Sequence, residues 1–177
     1  MKLAAALAAF DLDVTGLICA DFGSHVGGFV DCLLQHGAAR VYSVDTSYGT
    51  LAWTLRKDPR VVVLERTNAL HVELPEPVDL VTVDVGWTPQ HRILPIALSA
   101  LAPNGLIVSL IKPHYEADSS KLRRGVLPDE ECDAVLRTVE HRLSELSIHL
   151  SATVESPIRG RAGNREFLAL IRRVTPS

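Results

Sequence analysis

Long apolar runs are missing from this sequence: no stretch approaches the ~20 uninterrupted apolar residues that a membrane-spanning helix requires. An excess of positive charge is missing too. With 18 Lys and Arg against 21 Asp and Glu the formal net charge is −3, which excludes a bulk positive field for nucleic acid or an anionic membrane. Any polyanion would have to meet a local basic patch. Cysteine is scarce: Cys19, Cys32 and Cys132 form no C-x-x-C pair, which speaks against zinc and against a disulfide framework and suits a reducing cytoplasm. No metal is expected. There is no internal repeat, no low-complexity segment and no linker that would split the chain. The opening "MKLAAALAAF" starts like a secretory signal, but Asp11 and Asp13 end the apolar run early. A helix packing its leucines and phenylalanine on one side is the expectation.

What is present is a core-forming composition in regular order. The chain has 177 residues, 47% of them apolar, enough for one compact domain. Strand-length runs, "LICADF" (17–22), "RVYSVD" (40–45), "RVVVLE" (60–65), "VDLVTVD" (78–84) and "GLIVSLIKP" (105–113), alternate with helical segments through "GGFVDCLLQHG", "GTLAWTLRKD" and 89–101. Their continuous Val, Ile and Leu content suits strands buried on both faces. This predicts an α/β fold with a doubly wound, mostly parallel sheet. A further helix is expected over 129–146, then two strands in "IHLSATVE" and "EFLALIRRV" joined by the Gly, Pro and Arg loop "SPIRGRAGNR" (156–165). The stretch 116–129 reads as a flap.

"DFGSHVGGF" (21–29) stands where a doubly wound sheet binds ligands, after the first strand and opening the next helix. Gly23 suits a tight turn, and Gly27 and Gly28 admit a ligand to backbone N–H groups at the helix start. The spacing is G-x-x-x-G-G, not the G-x-G-x-x-G of dinucleotide enzymes. Asp45, about 20 residues on at the end of the second strand, stands where an acid grips a ribose diol; the plainer alternative is a helix cap. Asp21 disfavours a pyrophosphate but suits an amino group and a sulfonium, which S-adenosylmethionine carries.

Taken with "KLAAAL" (2–7), "VDTSYGTLAWTLRKDPRVVVLERTN" (44–68), "VDLVTVDV" (78–85), "LIKPHYE" (110–116), "RRGVL" (123–127) and "SPIRGRAGNREFL" (156–168), the glycine turn resembles the TlyA (haemolysin A) branch of the FtsJ-like RNA 2′-O-ribose methyltransferases. The resemblance runs nearly the whole chain. It implies a Rossmann-like class I methyltransferase fold of about seven strands, the C-terminal one antiparallel, using S-adenosyl-L-methionine on RNA, with ribosomal RNA the expected substrate.

Matching motif to motif, the family's Lys-Asp-Lys-Glu set falls on Lys2, Asp84, Lys112 and Glu166. A ribose 2′-hydroxyl is a very weak acid, so its attack on a methyl group benefits from a base and in-line positioning. Lys112 is the base candidate, with Asp84 and Glu166 orienting its ammonium. Resemblance and chemistry together put Asp21, Gly23, Ser24, Gly27, Gly28 and Phe29 at the methionine part of the cofactor, Asp45 at its ribose, and Thr67 or Asn68 near its adenine, beside Asp84. Phe29 is expected to pack beneath the loop and Cys32 to be core. Trp53, in a helix of apolar period, is expected to be buried, and Tyr115 is the stacking candidate. Lys121, Arg123 and Arg124 in the flap and Arg159, Arg161 and Arg165 in the late loop are candidates for RNA phosphates.

The sequence departs from the family in places. Members usually begin with a small S4-type RNA-binding domain, whereas the resemblance here starts at Lys2. The expectation is a chain without that domain, meeting RNA through a separate partner or an assembled ribosomal particle. "VGWTPQ" (85–90) replaces a serine- and phenylalanine-bearing run, and His25 and Val26 replace small residues in the cofactor loop. A catalytically silent cofactor-binding module is the alternative these departures raise. An NAD-linked oxidoreductase is disfavoured by the glycine spacing.

Overall fold

The computed structural model describes residues 1–172. In chain order the elements are α1 (Lys2–Ala9), β1 (Ile18–Phe22), α2 (Gly28–Gln35), β2 (Arg40–Val44), α3 (Trp53–Arg56), β3 (Val61–Leu64), β4 (Val78–Val83), α4 (Gln90–Ser99), β5 (Leu101–Ile111), α5 (Pro113–Glu116), α6 (Asp129–Glu145), β6 (Leu150–Glu155) and β7 (Phe167–Arg172). The strands form one sheet in the order β3-β2-β1-β4-β5-β7-β6. Strands β1 to β5 pair in parallel, and β7 runs antiparallel to both β5 and β6. The strand order reverses between β1 and β4, so the crevice for ligands opens at their carboxyl ends.

Period-two alternation divides the sheet between two apolar layers. In β7, Ala169 and Ile171 pack with Ile93, Leu94, Val139 and Leu143 of α4 and α6. Leu168 and Leu170 point the other way, to Leu3 and Leu7 of α1 and Leu33 of α2. Both faces are therefore covered, as the uninterrupted apolar strands require. The amphipathic α1 buries Leu3, Ala6 and Leu7, so Lys2 is carried on a packed helix.

Two stretches differ from the sequence expectation. The helical reading of "GTLAWTLRKD" shrinks to a single turn, because Gly49 takes φ +71° and Ala52 is extended at φ −53°, ψ 137°. Leu51 and Leu55 alone reach the core. Trp53, expected to be buried, is 68% exposed, with Lys57 Nζ 4.7 Å from its ring centroid. Strand β5 begins at Leu101, four residues early, and its register against β4 shifts between Val78 and Leu80. Asn104, at φ +66°, lies inside that irregularity. Of the expected last strand, residues 173 and 174 lie outside the described residues.

The turn before α2 distinguishes its glycines. Gly27 has φ +99°, and a Cβ there would sit 2.2 Å from Leu55 Cδ1 and 2.8 Å from Leu51 Cδ1. Gly28 has an ordinary backbone, and a Cβ there would meet nothing within 4 Å. Gly27→Ala is therefore expected to cost roughly 1–3 kcal/mol from strain and overpacking, and Gly28→Ala to be near neutral. Urea unfolding of the two variants checks this.

Candidate functional site

The expected functional residues gather at the carboxyl end of the parallel strands. Asp21 is the penultimate residue of β1, Asp45 follows β2, Asp84 follows β4 and Lys112 follows β5. Glu166 precedes β7, whose antiparallel course starts it at the same edge, and Lys2 opens α1. Three adjoining cavities of about 540, 260 and 270 Å³ occupy this edge, and Asp84 lines all three.

The largest is bounded by Gly23, Asp45, Thr67, Asn68, Val85 and Trp87, among others. Its volume is that of a small-molecule site. Asp45 Oδ2 accepts the His25 N–H at 2.7 Å, and Oδ1 accepts the Ser47 N–H and hydroxyl at 2.8 and 2.6 Å. Burial pushes this carboxyl up, but the Ser47 and His25 hydrogen bonds outweigh it and hold it below the usual carboxylate range. Three of about four acceptor positions are thus used within the protein, leaving Oδ2 one for a ligand. Asp45 fixes the loop as well as facing the cavity, and His25 takes φ +49° to make its bond. Thr67 and Asn68 line the far wall, with Asn68 Oδ1 capping the Leu70 N–H at 3.0 Å.

The second cavity is lined by Lys2, Asp21, Ser24, Gly28 and Phe29. Asp21 is 1% exposed; its Oδ1 accepts the Thr82 hydroxyl at 2.7 Å, while Oδ2 is enclosed with no hydrogen-bond partner among the described residues. Burial pushes this carboxyl up to about 7, against the Thr82 hydrogen bond and with help from Asp84 and Asp45. An enclosed carboxylate oxygen without a donor fits a cationic ligand group, which an α-ammonium supplies. Gly27, by contrast, faces Leu51 and Leu55 and lines none of these cavities. Gly23, at φ +89°, is required because a Cβ would lie 2.6 Å from the Asp84 carbonyl oxygen.

In the third cavity the four expected catalytic residues form two ion pairs. Lys112 Nζ lies 2.6 Å from Asp84 Oδ1 and 3.3 Å from the Val85 carbonyl oxygen. Lys2 Nζ lies 2.5 Å from Glu166 Oε2, and Glu166 is 4% exposed. The late loop makes room for this carboxylate: a Cβ on Gly160 would come within 2.4 Å of Glu166 Oε1. Asn164, which sequence reasoning passed over, ties that loop to the flap. It is 2% exposed, accepts the Leu127 N–H at 2.9 Å and donates to the Gly125 carbonyl at 3.1 Å. Its place inside "GNREFL" was the only available signal. At the mouth, Trp87 is 81% exposed at φ +59° and lies against Tyr115, with ring centroids 4.5 Å apart. Lys112 Nζ is 5.6 Å from the Tyr115 centroid.

The six basic candidates divide. Lys121 pairs with Glu131, Arg159 makes a two-pronged pair with Asp129, and Arg165 pairs with Glu155 and Asp133. These bonds pin the flap and late loop to the acidic start of α6 and to Glu155 at the end of β6. Arg123, Arg124 and Arg161 have no ion-pair or hydrogen-bond partner on their side chains among the described residues. Arg123 and Arg124 stand on a tight turn closed by the Arg123–Val126 bridge, and Arg161 lines both the first and third cavities.

Asp21 generates a pH prediction. Its carboxyl is raised from about 3.8 to about 7 on folding, so the folded chain binds the extra proton between those values and stability falls as pH rises through that window. Above pH 7 the ionised, half-satisfied carboxylate destabilises the fold by on the order of 2–4 kcal/mol. Asp21→Asn should therefore raise the melting temperature at pH 8 more than at pH 5, measured by calorimetry.

Comparison with known proteins gives this arrangement its family. A family model described as FtsJ-like methyltransferase matches residues 1–173. The 16S/23S rRNA (cytidine-2′-O)-methyltransferase TlyA of Mycobacterium tuberculosis is 40% identical over 180 residues, covering 98% of this chain and 67% of that protein. Hemolysin A of Brachyspira hyodysenteriae is 33% identical over 177 residues, covering 95% and 72%. A solved candidate hemolysin from Streptococcus thermophilus superposes with a TM-score of 0.92 at 34% identity, covering 97% of this chain and 64% of that one. This chain thus spans about two thirds of the length of the relatives it matches. The chain belongs to the FtsJ-like methyltransferase family.

Proposed function

We propose that this chain is one FtsJ-like methyltransferase domain that transfers a methyl group from S-adenosyl-L-methionine to a ribose 2′-hydroxyl of ribosomal RNA, in the cytoplasm. The observation that carries the reading is the pairing of Lys112 with Asp84, and of Lys2 with Glu166, around a cavity that adjoins the two lined by Asp45 and Asp21. Asp21 would hold the ammonium of the cofactor, Asp45 its ribose, and the wall around Asn68 and Val85 its adenine. The cofactor supplies an electrophilic methyl on a sulfonium.

The protein's own part is to bring a hydroxyl in line and to manage its proton. Lys112 is the group that takes that proton as the oxygen gains the methyl and the carbon–sulfur bond breaks, leaving S-adenosylhomocysteine. Asp84, 2.6 Å away, stabilises the ammonium that results. The Lys2–Glu166 pair holds the opposite wall and, through helix α1, ties it to the sheet. Arg123, Arg124 and Arg161, whose side chains have no partner among the described residues, would meet phosphates, positioning the strand without reading sequence. Three cations are a small footprint on an acidic chain. A separate RNA-binding partner, or an assembled ribosomal subunit, would supply the remaining affinity.

Transfer of radiolabelled methyl to intact ribosomal subunits and to stripped ribosomal RNA tests this reading. Label is expected in RNA with the parent, and a loss of about 10²–10⁴-fold in rate with Lys112→Ala, at unchanged cofactor affinity. Equal rates in parent and variant would remove the proposed role of Lys112, and no label from the parent on either substrate would remove the activity.

A further inference from the structure

The third cavity holds a titratable side chain that neither ion pair uses. His114, on α5 between Lys112 and Tyr115, lines the same space as Lys2, Lys112 and Glu166. Its Nδ1 is enclosed and has no hydrogen-bond partner among the described residues. Its ring lies against Tyr115, with centroids 4.2 Å apart and planes at 52°. Enclosed polar atoms in native folds are generally completed by water or a ligand.

The charge state of the ring narrows the partner. Burial first, then the charges of Lys112 and Lys2, push the imidazole down to about 4. At neutral pH it is uncharged, offering one donor and one acceptor nitrogen. A ring that resists a proton this strongly is a poor base, which leaves proton transfer to Lys112. An anionic phosphate is matched by cations. A flat group with mixed donors and acceptors is matched by this ring and by the aromatic surface of Tyr115 and Trp87 that continues from it.

We propose that His114 is a substrate-contacting, specificity-determining residue that hydrogen-bonds the base edge of the nucleotide whose ribose enters the cavity. This rests on the reading of the cavity as the RNA acceptor site. A neutral ring that offers one donor and one acceptor discriminates between bases because it pairs with some base edges and not with others.

The test compares the parent with His114→Leu and His114→Gln on ribosomal RNA, reading kcat, KM, cofactor affinity and, by nucleoside mass spectrometry, which bases carry the methylated ribose. His114→Leu is expected to lower kcat/KM for RNA about tenfold, chiefly through KM, with cofactor affinity unchanged and methyl spreading to nucleotides the parent leaves alone. His114→Gln, which keeps a donor and an acceptor, should stay within about threefold of the parent. Parent-like kinetics and base choice in His114→Leu would overturn the inference, as would equal losses in both variants accompanied by lost cofactor affinity. If the parent itself labels no RNA, the functional reading fails separately. The His114 assignment is then decided by its ring ¹⁵N signals on adding the four nucleoside 3′-monophosphates with S-adenosylhomocysteine present: a shift supports it, and unmoved signals overturn it.

Discussion

The close approach of the β1 and β4 ends is the constraint on which the site depends. Asp84 N–H donates to the Phe22 carbonyl at 2.9 Å, and the Asp84 carbonyl faces Gly23 so tightly that a side chain there would collide with backbone. Neither neighbour has room to yield, because each directly follows a central, buried strand. That contact puts one carboxylate on the walls of all three cavities. It also brings Asp84 near enough to help hold the Asp21 carboxyl up, and within 2.6 Å of Lys112 on the next strand. Cofactor cradle and acceptor chamber are thus joined through a single residue at the point where the strand order reverses.

Charge is distributed around that point according to function. Lys2 and Lys112 are paired with carboxylates inside the chamber, which keeps two ammonium groups close together without leaving either uncompensated. Asp21 is the opposite case, a buried carboxyl with one oxygen unanswered among the described residues and a stability cost that a cationic ligand would relieve. Outside, the acidic start of α6 takes up Lys121, Arg159 and Arg165, fixing the two loops that roof the chamber. Basic residues in those loops therefore serve two ends, some holding the roof and some left to face a polyanion.

The sheet was legible in the sequence because its strands are buried on both faces and so read as continuous apolar runs. Asp21 was marked by its place at the head of the glycine turn, whereas Lys2, Asp84, Lys112 and Glu166 were marked only by the family resemblance; the last three adjoin strand ends at one edge of the sheet. Helix α3 misled because apolar periodicity continued through Gly49 and Ala52, whose backbone angles break the helix, and Trp53 went outward with it. Gly27 carried the motif spacing of a ligand glycine, yet its missing side chain makes room for Leu55. Asn164 and the ion pairs of α6 could not be read, since their partners are 30 or more residues away for Leu127 and Asp129 and spacing says nothing of them. His114 stood in plain view between Lys112 and Tyr115; only the enclosure of its Nδ1 sets it apart.

The account stands or falls on the atom that receives the methyl group. Ribosomal RNA incubated with the chain and S-adenosyl-L-methionine, then cleaved with alkali and analysed by mass spectrometry, reports that atom directly. A methyl on the ribose 2′-oxygen blocks alkaline cleavage at its own linkage, so the account predicts the added mass in alkali-resistant dinucleotides. Added mass on a base, in mononucleotides released as usual, would contradict it.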